Sequence, residues 1–193
     1  MNKFMLKTTV LTVALIVAAT AMAFAQTVPD GLLYANEGNG VKITGYNGTA
    51  TTLVIPGSIG GRAVTVIGEY AFEGLPLQNV TLPNSITTIE KAAFDGCNRL
   101  RSINWPTSLR TIGENAFSQT ALTSITFNNG LLTIGKAAFY NINGLTTVII
   151  PASVTSIGEL AFSTNSSLTS VTMSRSTQVE ANAFSSRLTI TYR

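Results

Sequence analysis

The sequence has 193 residues, 45% of them hydrophobic and only 11% charged, with a formal net charge of +3 and no histidine. So apolar a chain is not a disordered one and can bury one sizeable core, while the missing histidine removes histidine-based triads and histidine-containing metal sites. Cys97 is the only cysteine, so no disulfide can form within the chain and stability has to come from packing.

The first element in chain order is an export signal over residues 1–25. Lys3 and Lys7 precede a stretch from Val10 to Ala19 that is apolar except for Thr12, and Ala23-Phe24-Ala25 supplies small residues where a signal peptidase reads. Cleavage before Gln26 is expected. The alternative is a retained anchor over Thr8 to Ala25, but that run is rich in Ala and Thr and lacks a stop-transfer charge cluster. No cysteine stands just after the signal to carry a lipid, and no later apolar run is long enough to span a bilayer, so no membrane insertion of the mature chain is expected. With Lys3 and Lys7 gone, the 12 basic residues fall by 2 to 10 against 9 acidic ones, a net charge of +1. That balance offers no electrostatic footprint for nucleic acid and no polybasic patch for an anionic membrane.

Residues 26–52 read as an N-terminal cap. Val41-Lys42-Ile43 after the turn residues Asn36-Glu37-Gly38-Asn39-Gly40 is a hairpin signal, which should cover the open face of the adjoining segment that begins at residue 53.

From residue 53 to 193 the chain repeats. Ala-Phe pairs end at Phe72, Phe94, Phe117, Phe139, Phe162 and Phe184, so the spacings are 22, 23, 22, 23 and 22 residues. Five residues before each Phe stands an aliphatic: Ile67, Ile89, Ile112, Ile134, Ile157 and Val179. Upstream lies a β-rich run with apolar residues at alternate positions, Val80 and Leu82, Ile103 and Trp105, Ile125 and Phe127, Val148 and Ile150, Val171 and Met173, each run preceded by a Leu. Pro83, Pro106 and Pro151 close three of the runs, which predicts parallel strands of three or four residues. From Phe to the next inward strand residue is 8 residues after Phe72 and Phe117 but 9 after Phe94, Phe139 and Phe162, so the variable residue lies in a surface turn. A unit this short cannot bury its own apolar face, and six coils must therefore stack around a shared column of Leu, Ile and Phe. The first coil carries extra residues at Gly57-Ser58-Ile59-Gly60-Gly61-Arg62, and Leu188-Thr189-Ile190-Thr191-Tyr192 reads as a short C-terminal capping strand.

The strings Leu77-x-x-Val80-x-Leu82-Pro83-x-Ser85-Ile86-x-x-Ile89 and Ile112-Gly113-x-x-Ala116-Phe117 resemble the BspA-like leucine-rich repeats of oral bacterial and treponemal surface proteins. The resemblance covers residues 53–190, and Gly45-Tyr46-Asn47-Gly48 looks like the family's lead-in. It implies a β-rich leucine-rich-repeat solenoid that is secreted or displayed on the cell surface, with the periplasm as an alternative. It also implies binding or adhesion to a protein or cell-surface partner, host extracellular matrix among the candidates. Ser85, Ser108 and Ser153 stand where the general pattern has Asn or Cys, so a deep, regular horseshoe is not expected. The family assigns no catalytic residue, and no enzyme activity, metal or cofactor is expected. The other class of function is a structural protein that self-associates through its stack ends.

Two surfaces are candidates for contact. Side chains flanking the inward strand residues line an uncharged face: Asn79 and Thr81, Ser102 and Asn104, Ser124 and Thr126, Thr147 and Ile149, Ser170 and Thr172. It is a grid of hydroxyls and amides with one apolar knob, Ile149, although Ser and Thr are also ordinary soluble strand residues. Two residues after each repeated aliphatic the order is Glu69, Lys91, Glu114, Lys136, Glu159, Ala181, so stacked coils should meet opposite charges. These glutamates, with Glu90 and Glu180, read as solvent positions of a solenoid rather than an acid pair, and Cys97 reads as a buried structural thiol. Asn47-Gly48-Thr49, Asn79-Val80-Thr81 and Asn165-Ser166-Ser167 fit the glycosylation sequon.

Overall fold

The computed structural model describes residues 28–193, and the expected signal and its cleavage point lie outside them. The described residues form a β-solenoid without helices. Each coil but the one containing Ser124 places one short strand on each of two sides, and tight turns carry the Phe residues between them.

The N-terminal hairpin forms as the turn signal requires. Strands β1 (Leu32–Glu37) and β2 (Gly40–Tyr46) pair antiparallel through Gly38, whose φ of 55° is open to glycine at no steric cost. Strand β2 then pairs parallel with β5 (Arg62–Ile67) and so caps the first coil. The inserted residues of that coil fold into a small hairpin in which β4 (Ser58–Ile59) meets β5 antiparallel.

Beyond the cap, a single sheet runs the length of the molecule. Its rungs are β5, β7 (Thr88–Ile89), β9 (Thr111–Ile112), β10 (Thr133–Ile134), β12 (Ser156–Ile157) and β14 (Gln178–Val179), all parallel and in register. The segment expected only to lead the chain back thus builds the more continuous sheet. Its rungs are nearly identical in volume, and the first five set a β-branched Ile inward.

The side expected to carry the principal strands is divided. One three-stranded sheet holds β3 (Thr52–Val54), β6 (Asn79–Thr81) and β8 (Ser102–Ile103); another holds β11 (Thr147–Ile149), β13 (Ser170–Met173) and β15 (Thr189–Tyr192). Between them the coil containing Ser124 contributes only an isolated bridge from Thr126 to Ile149. The strands are therefore shorter than expected on either side of Phe117. The break coincides with Trp105 and Phe127, two rings at the inward position where neighbouring coils carry Leu82 and Ile150. Trp105 lies edge-on at 5.2 Å to both Phe117 and Phe127. Rings that lie flat on one another fit the ~4.8 Å strand spacing, but Trp105 and Phe127 meet with planes 63° apart, and a ring set edge-on takes up more of the stack axis than that spacing gives. At the C-terminal end β15 pairs parallel with β13 over four residues, so the final strand expected to be shortened is as long as its neighbour.

Between the two sides runs the phenylalanine column. Rings of Phe72, Phe94, Phe117, Phe139, Phe162 and Phe184 stack with centroids 5.0, 5.1, 5.4, 5.1 and 5.5 Å apart and planes within 14° of parallel. The first five rings are fully buried, and Tyr46 of the cap extends the column with its ring 6.5 Å from Phe72. Complete burial of a side chain of this kind contributes about 1.5–3 kcal/mol, so the column is a principal source of cohesion.

The turns around each Phe explain the glycines. A Cβ on Gly113, Gly135 or Gly158 would lie 2.6–2.7 Å from backbone atoms of the preceding coil, so close stacking demands glycine there. Every coil also places left-handed residues at fixed points. Tyr70, Ala92, Asn115, Ala137, Leu160 and Asn182, three after the repeated aliphatic, have φ between 50° and 58°. Two after the Phe, Gly74, Gly96, Gln119, Asn141 and Thr164 have φ between 56° and 68°. This alternation turns one N–H after another toward the next coil: Tyr70 donates to the Lys91 carbonyl, Phe72 to Ala93 and Gly74 to Asp95, and the same triple recurs from Ala92, Phe94 and Gly96.

Candidate binding face

The alternation of the strand residues produces the expected face. Val80, Ile103, Ile125, Val148 and Val171 are buried, while Asn79, Thr81, Ser102, Asn104, Ser124, Thr126, Thr147 and Ile149 are exposed. Ser170 and Thr172 are half-buried. Ile149 is 57% exposed and Val54, in register with Thr81, is 51% exposed. Val54 went unrecognised in the sequence because the inserted residues after Pro56 hide the first coil's period, yet Leu53-x-Ile55-Pro56 repeats the pattern of Val80-x-Leu82-Pro83.

One member of the face is engaged with its own fold. The Asn104 amide accepts the Leu82 N–H at 2.7 Å and donates to the Leu82 carbonyl at 2.9 Å. It thereby completes the ladder where β8 ends, and leaves less of its amide for a partner. Asn79 donates to the Thr52 hydroxyl at 3.4 Å, and most of the other side chains of the face offer hydroxyls to solvent. Two of the serines standing at the family's Asn position cap the turns: Ser85 donates to the Val64 carbonyl and Ser153 to the Leu131 carbonyl, each at 2.7 Å.

The return side is charged and tied together. Lys91 meets Glu114 at 3.6 Å and Lys136 meets Glu159 at 2.6 Å. The alternating column therefore pairs in every second step, each lysine reaching the following coil. Lys42 of the hairpin extends it, with Glu37 at 2.6 Å and Glu90 at 2.9 Å, and those two carboxylates hold its ammonium above the ordinary lysine range. Glu90 and Glu180 also accept the backbone N–H of Glu69 and Glu159, both at 3.1 Å. These carboxylates act in coil-to-coil register, and pairs so open to water favour that register more than they add stability.

Three residues after Phe94, Phe117, Phe139 and Phe162 the side chains of Cys97, Thr120, Ile142 and Asn165 are turned inward. The Cys97 thiol is buried, donates to the Phe72 carbonyl at 3.0 Å, and has its pKa pushed up to about 12 by desolvation. So protonated a thiol is a poor nucleophile. Thr120 donates to the Phe117 carbonyl at 3.0 Å. Asn165 accepts the Ile142 N–H at 2.5 Å and donates to the carbonyls of Phe139 and Phe162. Buried to 2% exposure and bonded at both ends, Asn165 cannot serve as the glycan acceptor its sequon suggests.

Two shallow depressions adjoin the strand side. One of about 470 Å³ lies at the N-terminal end beside Tyr46, Thr52 and Val54. Another of about 460 Å³ lies in the turns next to the break in the strand side. No described helix is long and apolar enough to cross a membrane.

Comparison with known proteins places this architecture. Residues 65–191 match the BspA type leucine rich repeat region in six copies. The chain is 35% identical to the crystallised leucine rich repeat protein of T. pallidum, with a TM-score of 0.74 over 76% of this chain and 71% of that one. It is 29% identical to a leucine rich cell surface protein of Faecalibacterium prausnitzii, with a TM-score of 0.69 over 82% of this chain, but it spans only 45% of that longer protein. A leucine-rich repeat protein of Bacteroides ovatus, 24% identical with a TM-score of 0.56 over 76% of this chain and 47% of its own, shares the fold. No curated protein matches. Six copies of the repeat over residues 65–191, in a solenoid that superposes on these bacterial proteins, make the chain a member of the BspA-type leucine-rich repeat family.

Proposed function

We propose that the chain is an exported binding and adhesion module, secreted or displayed on the cell surface, whose uncharged strand face meets a protein or cell-surface partner. The observation that carries this reading is the face itself. Thr81, Ser124, Thr126 and Thr147 stand outward along the stack beside the apolar knobs Val54 and Ile149. A stacked backbone holds these groups at fixed separations, so an extended partner can engage several of them without the protein being ordered on contact. The cell-surface relative from Faecalibacterium prausnitzii supports export and display.

The test is attachment of the purified protein to immobilised host matrix proteins and to intact cells. Replacing Thr126, Thr147 and Ile149 together with Lys puts three charges on the face and is expected to abolish attachment while the thermal midpoint holds. The double change Glu114→Ala and Lys136→Ala, which opens both the Lys91–Glu114 and Lys136–Glu159 pairs, is expected to spare it. Attachment should also change little between low and physiological salt, since no charge on the face steers the encounter. If the double change abolishes attachment and the triple does not, the partner uses the charged return side and this reading fails.

A second reading, self-association into an array, draws on the last coil, where Val179 and Tyr192 remain 42% and 44% exposed and the edges of β14 and β15 carry no further strand among the described residues. Concentration-dependent sedimentation together with failed attachment would favour it.

A further inference from the structure

The one-residue variation in coil length has a spatial consequence. The turn from Phe117 to Ile125 takes 8 residues, whereas those on either side, Phe94 to Ile103 and Phe139 to Val148, take 9. A short turn between two longer ones is recessed, and the depression of about 460 Å³ lies over it. It is lined by Asn98 and Arg101 of one long turn, Asn141 and Asn143 of the other, and Gln119 and Thr123 of the short turn between them. The remaining lining is Thr120, Ala121 and Gly144, and the surface the recess exposes is polar and apolar in equal measure.

We propose that this recess binds an acidic saccharide, a sugar ring that carries a carboxylate. Three primary amides besides Asn98 and the Thr123 hydroxyl provide paired donors and acceptors of the kind that vicinal sugar hydroxyls need. The Arg101 guanidinium is exposed and makes no ion pair or side-chain hydrogen bond among the described residues, so its planar fork is free to take a carboxylate in bidentate fashion. Asn143 is already held in place, accepting the Ser166 hydroxyl at 2.9 Å and donating to the Asn141 side chain at 3.4 Å. The volume falls within the range of small-ligand sites, enough for one or two sugar rings. Polar and apolar surface share the lining evenly, which suits a sugar ring with its hydroxyls on the rim and its C–H face between them. The site is separate from the strand face and does not depend on it.

The experiment is a calorimetric or NMR titration of the protein with trigalacturonate and, in parallel, with its fully methyl-esterified form. Saturable binding of the acid and about tenfold or weaker binding of the ester are expected, because the ester cannot form a charge-assisted pair with Arg101. Arg101→Gln should weaken the acid by a similar factor. Inserting one Asn after Thr120 restores the nine-residue spacing, raises the floor of the recess and should abolish binding without removing any lining side chain. If the insertion prevents folding, Arg101→Gln and the ester decide the matter. The Lys triple variant of the strand face should bind the acid as the parent does, which separates this site from the adhesion reading. Absence of binding by the acid at tens of millimolar, equal binding of acid and ester, or unchanged binding by Arg101→Gln would overturn the proposal.

Discussion

The two sides of the solenoid are built from the same coils, yet one is a single sheet and the other is two. On the continuous side every rung presents a β-branched residue at the same place, beside a column of identical rings. The divided side has inward residues that change size from coil to coil, from Leu82 through Trp105 and Phe127 to Ile150, and the ladder fails where two aromatics are adjacent. A stack of short strands has one spacing, about 4.8 Å, and tolerates only side chains that fit it. Uniformity along the stack, more than hydrophobicity within a coil, is what keeps a ladder whole.

The largest effect should come from emptying the uniform column. Phe117 is fully buried between Phe94 and Phe139 with Trp105 on its edge. Phe117→Ala is expected to lower stability by about 3–5 kcal/mol, read as a fall in the urea midpoint of the whole domain. An unchanged midpoint would show that the column is not what joins the coils.

A smaller loss is expected where backbones nearly touch. Gly135→Ala places a methyl 2.7 Å from the Gly113 carbonyl carbon and should cost about 1–3 kcal/mol. Thr126→Ala on the divided side should stay within about 0.5 kcal/mol in the same assay. Equal losses at the two sites would erase the distinction between a tightly stacked side and a looser one.

The most local effect, and the sharpest test of the cause, is a repair read at single amides rather than in overall stability. Trp105→Leu combined with Phe127→Ile installs the residues that neighbouring coils use. Amide exchange at Ser124 and Ile125 should slow if the rings hold the strands apart. Exchange that stays as fast as in the parent would mean that the recessed turn before Ile125, and not the aromatic pair, breaks the sheet.

Much of this architecture was legible in the sequence. The Phe and Ile periods, the hairpin at Gly38 and the inserted residues of the first coil are local signals, and each folds as its chemistry suggests. The continuous sheet was harder to see because two-residue rungs such as Thr111–Ile112 are too short to show a strand period. They become a sheet only through the neighbours that stacking provides. The break at Ser124 was hidden for a related reason: Trp105 and Phe127 satisfy the apolar pattern individually, and their conflict exists only between coils. The strand face could be traced residue by residue from alternation, but alternation could not show that Asn104 is committed to Leu82 or that Asn165 is sealed inside its turn. Such bonds join residues 22 to 26 apart, across the stack.

The left-handed residues of the turns also give the stack an electrical direction. In a regular sheet successive peptide units point opposite ways and their dipoles nearly cancel. Along the Phe-bearing edge the alternating conformation sends the N–H groups of each coil toward the C-terminal end, where they meet carbonyls that face the N-terminal one. Their dipoles therefore add, as they do along a helix axis. At the C-terminal end the array narrows to one bond, from the Phe162 N–H to the Ala183 carbonyl. The edge is polarised from end to end in a chain whose formal charges almost balance, and each additional coil in a longer relative would extend that polarity without reversing it.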